Sequence, residues 1–191
     1  VGLTLALALA RKGFSVAVAD AAITGRVDTR AYFVAHGCWR IFRALGLEDQ
    51  LLPSAEPVTQ VEAQGKVGGI SFLTEDCKEP ALGFMIEAQA LSAVLNAAVA
   101  AESGIRHLTG ARILSATFGP AVATLTLADA EIEAPLVVGC DGVRSLVRKA
   151  AGLRFEGHAY DAAAISTTVK LGRPHNGTAR QVFLPNGPMA V

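Results

Sequence analysis

The first ten residues set leucine at Leu3, Leu5, Leu7 and Leu9 against Thr4, Ala6, Ala8 and Ala10, a pattern open to strand, export signal or helix. An export signal carries positive charge ahead of its apolar run, and here Arg11 and Lys12 follow it. A spanning helix needs ~20 apolar residues, and this run ends well short of that. Alanine and leucine are the strongest helix formers, and no β-branched residue follows Thr4 until Val16, so the pattern predicts a helix over Leu3–Lys12. Gly13 suits the left-handed residue behind it. Apolar nearly all round, this helix is expected to be buried between layers. The stretch FSVAVAD then predicts a strand over Phe14–Ala19, closed by Asp20.

Further along, AYFVAHGCWRIFRAL (31–45) carries apolar side chains at Phe33, Val34, Cys38, Ile41, Phe42 and Leu45, a helical spacing that Gly46 ends. Pro53 and Pro57 mark a linker. Two short alternating segments, VTQVEAQ and GGISFL, predict strands, as does LGFMI (82–86), which leads into the alanine-rich helix AQALSAVLNAAVAAES. IRHL, ARILSATFG, AVATLTLA and EIEA predict a meander of short strands. In PLVVGCDGVRSLVRKAAG the pattern predicts a buried strand, a sharp Gly-Cys-Asp-Gly turn and a helix from Ser145 to Ala151. Behind Gly152, ISTTVKL and ARQVFLP predict two more strands, with Asn176-Gly177 as a turn signal between them.

Helix, one-glycine turn, strand, acid is the second half of a dinucleotide-binding βαβ unit. In it Gly2 stands as the last glycine of GxGxxG and Asp20 as the acid for the adenosine ribose hydroxyls. An ordinary glycine before an ordinary buried helix is the other reading of these residues. On the motif reading the chain begins inside its own cofactor motif, and a longer protein is expected on its N-terminal side. Two further stretches join it. Asp28-Thr29-Arg30-Ala31 sets an arginine in a loop, able to neutralise a pyrophosphate or hold a flavin edge. Gly139 to Arg148 delivers Asp141 and Gly142 from a strand end, where an open sheet binds its ligand and glycine admits close backbone approach. Taken singly, an Asp-Gly pair is a turn and a lone arginine a solvated charge.

Composition narrows the classes. Lysine plus arginine equals aspartate plus glutamate at 17 each, so there is no basic footprint for nucleic acid. Only 18% of residues are charged, against about a quarter in typical domains, which points to a large buried fraction or a face that meets something apolar. Cys38, Cys77 and Cys140 show no paired or zinc spacing, which fits a reducing cytoplasm, and the four histidines are scattered. Helix–strand halves interrupted by strand segments predict an α/β fold, a nucleotide-binding domain whose excursions build a second, sheet-based domain. A nicotinamide-only dehydrogenase would instead continue with further βα units.

In this order and separation the motifs resemble the flavin-dependent aromatic hydroxylases built like para-hydroxybenzoate hydroxylase, and among them the ubiquinone-biosynthesis hydroxylases. GCDGVRSLVRKAAG is similar to that family's Asp-Gly motif, DTRA to its Asp-x-Arg loop, and PHNGTARQVFLPNGPMAV to its substrate-domain hairpin. The resemblance implies a Rossmann-like FAD-binding domain (1–56 and 82–157, parallel sheet plus β-meander) and an interleaved substrate domain (57–81 and 158–191), both partial. It implies that Gly2 and Asp20 bind the adenosine end of FAD and that Arg30 reaches the cofactor near the active site. Gln89 stands where relatives often carry an arginine near the ribose and phosphate, and Cys140 where alanine is usual. Asp141 with Gly142 would touch the pyrophosphate and assist NADH or NADPH. The family's later Gly-Asp motif lies beyond Val191, so the isolated piece is expected to be truncated at both ends and inactive. The implied reaction uses NAD(P)H, FAD and O2 to hydroxylate a polyprenyl phenol, with no side-chain acid or base and no metal assigned. Contact with the cytoplasmic membrane surface and with a ubiquinone-biosynthesis protein complex is implied as well. A prenyl reductase or halogenase of the same fold, or a piece without function, remain the alternatives.

Overall fold

The computed structural model describes residues 1–21, 28–158 and 160–191. In chain order, α1 (Gly2–Ala10) leads to β1 (Val16–Asp20), β2 (Ala31–Ala35), α2 (His36–Ala44) and α3 (Glu48–Leu51). A 3-10 turn at Leu52–Ser54 precedes β3 (Ala55–Val58), β4 (Gln60–Gln64), β5 (Gly69–Leu73) and α4 (Thr74–Cys77). Next come β6 (Gly83–Glu87), α5 (Ala88–Ala100), β7 (Ile105–Thr109), β8 (Ser115–Phe118), β9 (Ala123–Thr126) and β10 (Glu131–Ala134). The described elements end with α6 (Leu146–Ala150), β11 (Thr178–Leu184) and β12 (Gly187–Ala190).

The chain divides into two compact units, one of residues 1–27 and 95–164, the other of residues 28–94 and 165–191. The division sets residues 28–56 and 82–94 with the second unit, where the sequence reading had grouped them with the first. In the first unit β1 and β7 pair in parallel from Val16↔Ile105 to Asp20↔Thr109, and β8, β9 and β10 form an antiparallel meander. IRHL therefore leaves the meander, in which the sequence reading had counted it, to become the parallel neighbour of β1.

Helix α1 ends as its glycine dictates. Gly13 takes φ +87, the Phe14 amide donates to the Leu9 carbonyl at 3.2 Å, and the Gly13 amide donates to Ala10 at 2.8 Å, the paired bonds of a Schellman turn. Gly46 behind α2 and Gly152 behind α6 repeat the arrangement, with Leu47 donating to Phe42 and Leu153 to Arg148. Of α1, only Ala6 and Leu7 are fully buried, fewer than an all-round apolar helix leads one to expect.

The second unit holds two sheets. In the first, β6 is central, pairing antiparallel with β2 and with β3. Trp39 of α2 is wholly buried on it, stacked on Phe84 at 4.1 Å between ring centroids. Its indole N–H reaches Glu48 Oε1 at 2.9 Å, and Arg43 grips the same carboxylate at 2.7 and 2.8 Å. Those arginine hydrogen bonds, helped by Trp39, hold the Glu48 carboxyl below its usual range. The helix expected over 31–45 begins only at His36. Residues 31–35 are aromatic and β-branched enough to serve as a strand, and the backbone ladder to β6 takes them.

In the other sheet the order is β12-β11-β4-β5, and the β11–β4 pairing is parallel. Its register sets Val61 beside Phe72 and Ala179, and Ala63 beside Ile70, on one apolar face. The opposite face carries Gln60, Glu62 and Arg180, with Arg180 Nε donating to Glu62 Oε2 at 2.9 Å. The Asn176-Gly177 turn forms with both residues at positive φ (53° and 68°), and the Thr178 amide closes it on the His175 carbonyl. Two expected strands do not form. ISTTVKL and PLVVGC both lack ladder pairing among the described residues, and Leu136 is 72% exposed where a buried strand was expected. No helix among the described residues is long and apolar enough to cross a membrane.

Candidate functional site

The first unit gathers Gly2 and the Gly139–Gly142 turn. A Cβ placed on Gly2 would lie 3.4 Å from the Cys140 Cβ, an ordinary van der Waals distance, so the start of α1 and the turn are close neighbours. Around the turn, a Cβ on Gly139 would come within 3.0 Å of Val147, while Gly142 takes φ +80 with open space beside it. Backbone at Gly142 is thus exposed to a close-approaching group in a conformation that a side chain would strain.

Asp141 is committed to local structure. Its Oδ1 accepts from the Ser145 hydroxyl at 2.5 Å, and its Oδ2 accepts from the Leu146 and Val147 amides at 2.6 and 3.3 Å. Ser145 Oγ in turn accepts from the Arg148 amide at 3.0 Å. Aspartate and serine together satisfy the first amides of α6. Partial burial opposes the charge on Asp141, but the Ser145 hydroxyl and the backbone amides outweigh it and hold the carboxyl below its usual value. The group offered to a ligand here is the backbone of the turn, with Asp141 shaping it.

Helix α1 carries no acidic residue in its first turn and no side-chain cap, so its leading amides can take an anion. Helix and strand run in opposite directions across the Gly13 turn, which sets Asp20, at the end of β1, at the same end of the layer as Gly2. The Asp20 carbonyl accepts from the Ala111 amide at 2.9 Å.

In the second unit Arg30 lies next to the first residue of α5. The Ala88 amide donates to the Arg30 carbonyl at 2.8 Å, which sets Arg30 beside the start of α5, where Gln89 is exposed. The Arg30 guanidinium is forked by Asp28, Nε to Oδ1 at 2.8 Å and Nη2 to Oδ2 at 2.6 Å, and lies 5.4 Å from the Tyr32 ring centroid. The hydrogen bonds and charge of Asp28 raise the arginine's pKa further above its already high usual value. Asp28 and Ser145 were given no role by the sequence reading, although the Asp-x-Arg spacing and the serine opening a helix were both visible in it.

A helix N-terminus close to a glycine turn, together with a strand ending in an acid, is an arrangement found in dinucleotide-binding α/β folds. The chain belongs to the FAD binding domain family, which matches it over residues 1–186. It is 33% identical to the ubiquinone hydroxylase UbiL of Rhodospirillum rubrum over 199 aligned positions, covering 100% of this chain and 46% of that protein. It is 27% identical to the 3-demethoxyubiquinol 3-hydroxylase of Escherichia coli, covering 100% of this chain and 51% of that protein. Among solved structures, the flavin-dependent monooxygenase PieE, in complex with FAD and substrate, shares the fold at a TM-score of 0.71 and 20% identity over 82% of this chain and 31% of its own. The chain spans about half the length of the curated relatives it matches.

Proposed function

We propose that this chain supplies the FAD-binding part, and a portion of the substrate-binding part, of an NAD(P)H-dependent monooxygenase that hydroxylates a polyprenyl phenol in ubiquinone biosynthesis. The observation that carries the reading is the proximity of Gly2, at the start of α1, to Cys140 of the Gly-Cys-Asp-Gly turn. That proximity brings together two backbone elements able to meet a dinucleotide. The alignment of this chain to about half of a ubiquinone hydroxylase and about half of a 3-demethoxyubiquinol 3-hydroxylase supports the reaction class.

In this reading the α1 amides and the Gly142 backbone hold the pyrophosphate, and Asp20 receives the adenosine ribose hydroxyls. Arg30 and Gln89 carry donors suited to a phosphate or ribose of the cofactor. Bound FAD supplies the redox chemistry, carrying two electrons from NAD(P)H to O2, one oxygen atom entering the ring and the other leaving as water. The sheet built on residues 60–73 and 178–190 serves the substrate. Its apolar face of Val61, Ile70, Phe72 and Ala179 suits a prenylated ring, and peripheral contact with a membrane follows from the same substrate.

Flavin absorbance and mass analysis test this. The whole protein is expected to hold one FAD per chain and to add a single oxygen atom to a polyprenyl phenol as NAD(P)H is oxidised. A protein that takes up no flavin from excess FAD would overturn the cofactor assignment. A product saturated in its prenyl chain would move the reaction to a reductase.

A further inference from the structure

Arg30 is held more firmly than an exposed arginine needs to be. Its side chain is 64% exposed, yet three contacts fix it. Its carbonyl is tied to the Ala88 amide, Tyr32 lies against its guanidinium, and Asp28 accepts from Nε, from Nη2 and from the Arg30 backbone amide at 3.1 Å. One carboxylate therefore binds backbone and side chain of the same residue.

Guanidinium has five N–H donors in a planar fork. Asp28 takes the Nε–H and one Nη2–H, the side-on edge. The second Nη2–H and the two Nη1–H groups are left, and of these the Nη2–H and one Nη1–H form the end-on edge. That edge matches two oxygens of one phosphate. The carboxylate also offsets the arginine's charge, so the pair attracts a distant anion weakly and selects by direction at contact.

We infer that Asp28 is a positioning residue: it locks Arg30 in one rotamer and blocks its side-on edge, so that the end-on edge alone meets a phosphate of the cofactor. The inference rests on the reading of Arg30 as a cofactor-binding residue. The fork is made within the chain itself, by a residue two positions away. Arginine rotamer freedom is then lost during folding rather than on binding, which favours affinity.

A double-mutant cycle on the whole protein tests it, read by FAD dissociation constants and by the Arg30 Nε–H resonance in the cofactor-free state. Arg30→Ala is expected to weaken FAD by about thirtyfold and Asp28→Asn, which keeps the shape but loses the second acceptor, by about threefold to tenfold. Asp28→Asn in the Arg30→Ala background is expected to add nothing. Asp28→Glu is expected to recover part of the loss. Without cofactor, the Nε–H resonance is expected to exchange slowly in the parent and quickly in Asp28→Ala, with the melting temperature unchanged because the pair is exposed. Additive losses, or an Nε–H that exchanges equally fast in both proteins, would overturn the positioning role while leaving Arg30 in place. An Arg30→Ala protein that binds FAD as tightly as the parent would overturn the cofactor reading itself.

Discussion

Asp141 and Gly142 are neighbours with different tasks. Gly142 offers bare backbone at φ +80, and Asp141 builds the turn that holds it there by collecting Ser145, Leu146 and Val147. The Asp141 carboxyl titrates below its ordinary value of 3.8. Its folded value is depressed, so its stabilising contribution is whole above 3.8 and is lost as the pH falls through the lower, folded value. An acid titration followed at the Leu146 and Val147 amides should show a midpoint below 3.8. Asp141→Asn should remove that transition and speed hydrogen exchange at both amides. A midpoint at or above 3.8 would mean that the cap is not formed in solution. The sequence left Asp141 two roles, accepting hydroxyls or ordering a loop, because Asp-Gly at a strand end serves either. Its inward role depends on a serine four residues on, whose rotamer no pattern displays.

At the scale of elements, β6 is the strand on which the second unit depends. Gly83 opens it between two neighbours, paired with Ala35 on one side and Val58 on the other. A Cβ there would lie 2.5 Å from the Val34 carbonyl oxygen and 2.7 Å from the Phe33 ring. Gly83→Ala is therefore expected to destabilise the protein by about 1–3 kcal/mol, read as a lowered thermal midpoint. An unchanged midpoint would show that β2 gives way freely. Elements whose boundaries are local were legible beforehand: Gly13, Gly46 and Gly152 each close a helix where the sequence put its end, and α5 follows its alanine-rich pattern. Elements decided by a distant partner were not. Residues 31–35 read as helix until β6 claims them. PLVVGC and ISTTVKL read as strands, yet a strand exists only where another chain segment presents its backbone, and periodicity carries no information on that.

For the molecule as a whole, large apolar side chains stand open to solvent, including Leu136, Val143, Leu153, Phe155 and Ile165, all more than half exposed. The 191-residue chain alone is expected to bind a hydrophobic dye such as ANS strongly and to self-associate as its concentration rises. A dye-silent monomer in sedimentation velocity would mean that these side chains find cover in solution. The parallel ladder between β4 and β11 has a further consequence, in time. Glu62 and Arg180 are 118 positions apart, so at about 5–20 residues per second the ribosome needs about 6–24 s to deliver the second strand after the first. Throughout that interval the β4–β5 hairpin presents an unpaired edge with Phe72 and Ile70 beside it, the species a holding chaperone would recognise. The order of synthesis, and not only the finished contacts, decides how much of this protein reaches its fold.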